Sequence, residues 1–343
     1  MYSESDIDAA VKAGALTPEA AAALRDHVAR RRAAPAADEE HFRLITGFND
    51  IFVVVAAVLV LVAVGWIGTR LHGALGGAGV GLASWALAEY FTRRRRMALP
   101  SIVLLLTFAG GAFWCAAGLL SDGVGPGYFE AGPDKFAEAL APSALVAALA
   151  AGLHWWRFRV PITMAAGAAA LVGTALGLIL RWMDNPMPVI EPVMFVAGLG
   201  VFAFAMRWDL SDTARTTRRS DVAFWLHLLA APLMVHPVFS LTASGIPDPS
   251  LSAALVVILY AVVGVVALAI DRRALLVSAL IYLLTAVYSL FRDFDDLSLR
   301  FAAAALIVGA VLLLLSAFWR NARAVVVHRL PTELRARLPA ASA

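Results

Sequence analysis

IFVVVAAVLVLVAVGWIG, residues 51–68, runs eighteen positions without a charge. At 1.5 Å per helical residue it extends about 27 Å, close to the hydrocarbon thickness of a bilayer. Lipid offers backbone N–H and C=O groups no partners, so only helices or closed barrels cross it. The stretch shows no period-two alternation, and helix is the reading. Nine further apolar stretches follow, at 73–91, 98–120, 140–156, 162–180, 188–206, 222–242, 251–270, 274–290 and 301–319. The sequence therefore predicts an all-α, polytopic transmembrane helical bundle of ten spans over residues 51–319. The second span is glycine-rich and carries Glu89, which weakens its apolar signal.

Cations orient the spans, because loops rich in Lys and Arg stay cytoplasmic. Of 28 Lys and Arg, 23 fall in the N-terminal segment, the loops after even-numbered spans and the C-terminal tail, and 5 in the loops after odd-numbered spans. Miscounting one span would move every later loop to the other side and blur this contrast. Both termini are thereby expected in the cytoplasm of a bacterial inner (plasma) membrane. The source reading comes from composition: lysine occurs only at Lys12 and Lys135 beside abundant Arg and Ala, the habit of a GC-rich genome.

The chain is 61% hydrophobic with mean hydropathy +0.78, beyond the range of a soluble domain. Its pI near 9.3 follows from topology arginines such as Arg93–Arg96 and points to no nucleic-acid partner. The single cysteine, Cys115, lies inside the third span and allows no intrachain disulfide. The N-terminus lacks the basic-then-apolar layout of a cleaved signal peptide, so the first span is expected to be an uncleaved anchor.

Residues 1–37 read as a small cytoplasmic helical hairpin and linker. Ser5 and Asp8 form a capping pair, with Ile7, Ala10 and Val11 on one face. Gly14 closes the first helix, and Thr17 caps a second with Pro18 in its first turn. Residues 38–50 read as an interfacial segment bearing Phe42, Ile45 and Phe48, and 320–343 as a cytoplasmic tail. Such a hairpin is too small to hold its own core. It is expected to pack on the membrane domain, on another copy or on another membrane protein.

Lys12-Ala-Gly-Ala-Leu-Thr-Pro-Glu-Ala resembles the Gly-x-(Ile/Leu)-(Ser/Thr)-x-Glu-x-Ala hairpin that opens some uncharacterised bacterial multi-spanning membrane proteins. Phe318-Trp319-Arg320, Leu330-Pro331 and Leu338-Pro339 are similar to the tails of such proteins. The resemblance implies a family without an assigned activity and carries over no functional residue.

Ionisable groups inside spans are costly, which makes them the first functional candidates. Glu191 lies about 5 Å from the outer end of span six and His236 about 9 Å from that of span seven. Pro192, Pro232 and Pro237 flank them. These spans are consecutive and antiparallel, so the two groups form the candidate intramembrane polar site. Glu89 and His227 are weaker candidates. Glu89 stands four to seven residues before Arg93–Arg96 and is expected to snorkel to them. His227 precedes His236 by nine residues, which puts the two imidazoles on opposite helix faces and denies them a common metal. Asp50 is expected to cap the first span. Asp293, Asp295 and Asp296 lack the glycine and the later Glu of a calcium loop. The glycines of the loop at 121–138 follow no strand and make no phosphate cradle. Trp155, Trp156, Trp182 and Trp319 read as an aromatic belt near span ends. No catalytic residue, cofactor site or metal cluster is legible, and no enzyme is expected.

Ten spans divide into five plus five, a plan of inverted halves used by secondary transporters. The expected function is an integral inner-membrane protein of scaffold, assembly or regulatory type, with the hairpin as its docking element. The alternative is a small-solute or ion permease with its site between spans six and seven.

Overall fold

The computed structural model describes residues 7, 10–33, 48–120, 133–213, 215, 217–245, 248–291, 296–335 and 338. It is all helical, with no strand among the described residues. The chain divides into a small unit, Met1–Phe42, and a large one, Arg43–Ala341.

In the small unit, Ile7 and Ala10–Lys12 are helical. Gly14 adopts φ 70°, a left-handed conformation that glycine takes without penalty. The chain then turns, and Leu16 N–H donates to Ala10 O at 3.2 Å. Helix α1 spans Pro18–Ala33. Thr17 Oγ1 accepts from Ala20 N–H at 3.2 Å, the expected cap. Ser5, Asp8, Phe42 and Ile45 lie outside the described residues.

The large unit contains α2 (Phe48–Leu71), α3 (Gly73–Ala88) continued by a π-turn (Glu89–Arg94), α4 (Ala98–Leu120), α5 (Pro133–Phe158), α6 (Ile162–Trp182), α7 (Met187–Leu210), α8 (Arg218–Gly245), α9 (Pro249–Ile270), α10 (Ala274–Leu290), α11 (Leu297–Ala317), α12 (Trp319–His328) and α13 (Thr332–Arg335). Eight of these, α2, α4–α9 and α11, are long and apolar enough to cross a membrane. Helices α3 and α10 are shorter. They occupy the second and ninth apolar stretches.

Helices adjacent in sequence pack side by side, most intimately α3 with α4, α5 with α6 and α7 with α8. The α3–α4 contact shows why glycine is required there. A Cβ on Gly77 would stand 2.3 Å from Cys115 N, and one on Gly111 would stand 2.7 Å from Gly81 N. Small residues at four-residue spacing let the two backbones meet. Gly177 meets Ala141 in the same way, whereas Gly167 and Gly173 make ordinary contacts only.

The largest core cluster joins α8–α12 through Phe239, Tyr260, Leu275, Leu283, Val308 and Trp319. Smaller ones join α6–α8 around Leu226 and α2–α4 around Leu61. Large apolar side chains also face outward, Leu82 at 74% and Leu306 at 73% exposure. Such a surface suits lipid and not water.

Helix ends are closed by local chemistry. His72 Nδ1 accepts from Ala74 N–H at 3.2 Å, which lets α2 turn directly into α3. Asp248 caps α9 through Ser250 N–H at 2.9 Å. Asp296 caps α11 through Ser298 N–H at 2.8 Å and Leu299 N–H at 3.3 Å. These donors and the Ser298 hydroxyl hold the Asp296 carboxyl below its ordinary pKa. Asp293 and Asp295 lie outside the described residues. Asp50 sits buried within the first turn of α2, past the cap position. Pro142 leaves Glu138 O without its helical donor, and Arg181 Nη1 donates to that oxygen at 3.5 Å.

Candidate functional site

Among the described residues of the large unit, four that are not glycine adopt left-handed backbone: Arg96, Arg159, Arg215 and Asp271, at φ 53–58°. Each follows an even-numbered apolar stretch, on the arginine-rich side. The left-handed turn that closes a helix usually falls on glycine. A cation there interacts favourably with the negative helix end. At Asp271 the cation comes from elsewhere. Arg215 Nη2 donates to Ile270 O at 3.2 Å and to Asp271 O at 3.0 Å, while Nη1 meets Asp271 Oδ2 at 2.9 Å. Arg215 thereby caps the C-terminus of α9.

The next residue, Arg272, is 2% exposed. Its Nε donates to Asp209 Oδ2 at 3.1 Å and its Nη2 to Asp209 Oδ1. Asp209 lies in the last turn of α7 and is itself buried. A third element enters from α8. His227 Nε2 lies 2.9 Å from Asp209 Oδ2, so the proton sits on Nε2 and the carboxylate accepts. His227 is fully buried, with the Phe202 ring 5.2 Å away, and its Nδ1 has no partner among the described residues. Ser220 offers both its carbonyl and its hydroxyl oxygen to Arg272 at 3.4 Å.

Helix α12 is fastened to the same end. Trp319 Nε1 donates to Asp271 Oδ1 at 2.8 Å, Arg323 Nε stands 3.6 Å from that oxygen, and Arg273 lies 4.9 Å over the Trp319 ring. Trp319 was expected in the aromatic belt. It is instead buried, and its indole N–H explains why: Asp271 supplies the acceptor a buried tryptophan needs. Trp156 and Trp182 are exposed, as a belt requires.

A carboxylate–arginine pair of the same kind occurs earlier in the chain. Glu89, at the start of the π-turn after α3, accepts from Arg157 Nε and Nη2 at 2.8 Å each and from Arg93 Nη1 at 3.3 Å. The expected partner within Arg93–Arg96 is present, but the bidentate one comes from the end of α5. His154, one turn before Phe158, is also buried. Its Nδ1 meets Thr163 Oγ1 at 3.3 Å, Trp85, Phe108 and Phe158 surround it, and its Nε2 has no described partner. Both pairs join the end of one helix to the end of the helix two further on.

Glu191 and His236 have separate partners. Glu191 accepts from Ser240 Oγ, and His236 Nδ1 bonds Tyr282 OH on α10. No hydrogen bond or ion pair joins Glu191 to His236. Ser240 and His236 are nonetheless one turn apart on α8, so the two bonds form a single polar strip. His227 and His236 do point apart, one into the buried ion pair and one outward. Among the described residues no three His, Cys, Asp or Glu side chains converge as a metal site.

Sequence reading missed Asp209, Arg215, Asp271, Arg272 and Arg323 because they look like loop charges. One signal was available. A carboxylate near the end of spans two and six is matched by an arginine at the end of spans four and eight.

These features define a helical membrane protein whose helix ends are tied by buried charge. No protein-family model, curated protein or solved structure matches the chain.

Proposed function

We propose that the chain is a ten-span integral protein of a bacterial inner membrane with both termini cytoplasmic. It works as a scaffold, assembly or regulatory protein and docks partners through its N-terminal helical hairpin. The 23-to-5 cation split supports the orientation. Helix α3 and its π-turn together extend about 33 Å, and α10 about 25 Å, so each is able to cross.

The observation that carries the reading is the pairing of intramembrane-end charges with each other. Glu89–Arg157 and Asp209–Arg272–His227 spend their hydrogen bonds between helices, which stiffens a frame. Removing residues 1–37 tests it. A docking protein loses its partner in pull-downs, and reconstituted vesicles show no solute uptake with or without the segment. Uptake that survives the deletion overturns the proposal.

One observation favours a second reading, a small-solute or ion permease. Glu191–Ser240 joins the consecutive helices α7 and α8, and one helical turn away on α8 His236 bonds Tyr282 of α10, beside prolines that free backbone carbonyls. Uptake abolished by Glu191→Gln supports that reading.

A further inference from the structure

The turns at the arginine-rich end recur with a period. Arg96, Arg159, Arg215 and Asp271, each left-handed, stand 63, 56 and 56 residues apart. The helices after them, α4, α6, α8 and α10, begin at Ala98, Ile162, Arg218 and Ala274, at intervals of 64, 56 and 56. The first interval is longer because residues 121–132 separate α4 from α5, where only 183–186 separate α6 from α7. One helix pair is thus used four times between α3 and α10. Recurrence at a fixed period marks a structure built from copies of one unit.

The pairs are joined two by two. Glu89 of the first pair accepts from Arg157 of the second, and Asp209 of the third accepts from Arg272 at the turn of the fourth. The two acids hold matching places, seven residues before Arg96 and six before Arg215. The close approaches match too. A Cβ on Gly77 of α3 would press on Cys115 N of α4, and one on Gly198 of α7 would stand 2.9 Å from Met234 N of α8. Helices α3–α6 and α7–α10 are therefore two four-helix repeats of one design. Four antiparallel helices return the chain to its starting side, so the repeats point the same way, unlike inverted halves of five.

The seam between the repeats is of another kind. Among the described residues of α3–α10, each hydrogen bond or ion pair between side chains of different helices falls inside one repeat. The seam is apolar, with Ala165 of α6 against Ala205 of α7 and Leu226 of α8. Trp155 stands edge-on to Trp208 across it, ring centres 6.5 Å apart. Apolar contact has no preferred direction, and small side chains leave a smooth surface.

We infer that α3–α6 and α7–α10 move as two bodies that slide on this seam, while the ion pairs keep the helix ends of each body in register. Sliding breaks no side-chain hydrogen bond, whereas opening the second repeat leaves a buried charge of Asp209 or Arg272 uncompensated. Packed helices shift in this way by small shear steps. The motion is independent of the docking role given to the N-terminal segment.

The test uses the full chain with Cys115→Ser and spin labels on paired cysteines at exposed positions. Arg94→Cys with Arg159→Cys reports the first repeat, Arg218→Cys with Val277→Cys the second, and Arg159→Cys with Arg218→Cys the seam. Distances are read by electron paramagnetic resonance in nanodiscs of short-chain and of long-chain phospholipid, since a change of bilayer thickness loads the helices through hydrophobic mismatch. The 159–218 distance is expected to shift by about 2–5 Å between the two lipids, and the other two by less than about 1 Å. A 159–218 distance as fixed as the others overturns the inference. So do distances within a repeat that move as far as the one across the seam.

Discussion

The guanidinium of Arg272 faces both carboxylate oxygens of Asp209, 63 residues earlier in the chain, and both residues are almost wholly buried. Arg272 belongs to the loop after α9 and Asp209 to the last turn of α7. The pair therefore holds two helix ends in register, and His227 adds α8 as a third. Removing one member leaves an uncompensated charge in the protein, whereas removing both leaves apolar volume.

Asp209→Leu is expected to destabilise the protein by about 3–5 kcal/mol. Combining it with Arg272→Met restores most of that loss. Thermal unfolding in detergent measures both. Equal losses in the single and double variants would show that the two residues are not coupled.

Glu89–Arg157 is more open, with side-chain exposures of 33% and 27%. Water weakens such a pair, so Glu89→Gln is expected to cost about 1 kcal/mol or less. A loss as large as that of Asp209→Leu in the same assay contradicts the ranking.

The apolar stretches and their arginine bias were legible because each span needs about 20 apolar residues and leaves its charges in loops. The Thr17 cap was legible as a local rule. Asp209 with Arg272 was not, because two loop-like charges reveal a partnership only when helices far apart in sequence meet. Trp319 was misplaced for the same reason: its acceptor, Asp271, is 48 residues away. Glu191 and His236 were singled out by their depth in two consecutive spans, but depth along two helices does not say which side chain each meets around the helix axis.

Gly77→Ala is expected to cost about 1–3 kcal/mol, since its new methyl meets Cys115 backbone and one helix must shift. Gly110→Ala, with nothing within 4 Å of its Cβ, is expected to stay within about 0.5 kcal/mol of the parent. Similar melting temperatures for the two variants would refute the close α3–α4 approach.

Deleting residues 1–37 is expected to leave insertion and detergent melting nearly unchanged, because that segment lies within its own compact unit. Thr17→Ala removes the α1 cap and costs that helix about 1 kcal/mol. Circular dichroism of the full chain and a proteolysis time course at the segment measure the two effects. A large fall in melting temperature on deletion would contradict the separation.

On the proposal that ten helices cross, α3 and α10 included, the two ends of α6 lie on known sides of the membrane. In a Cys115→Ser background, Arg159→Cys and Asp184→Cys place one exposed thiol at each end of α6. A membrane-impermeant maleimide is applied to intact cells whose outer membrane has been opened. Ten spans predict labelling of position 184 from outside and of position 159 only after the inner membrane is permeabilised. If α3 does not cross, every later loop up to α10 changes side. Labelling of 159 from outside, with 184 protected, would contradict ten crossings.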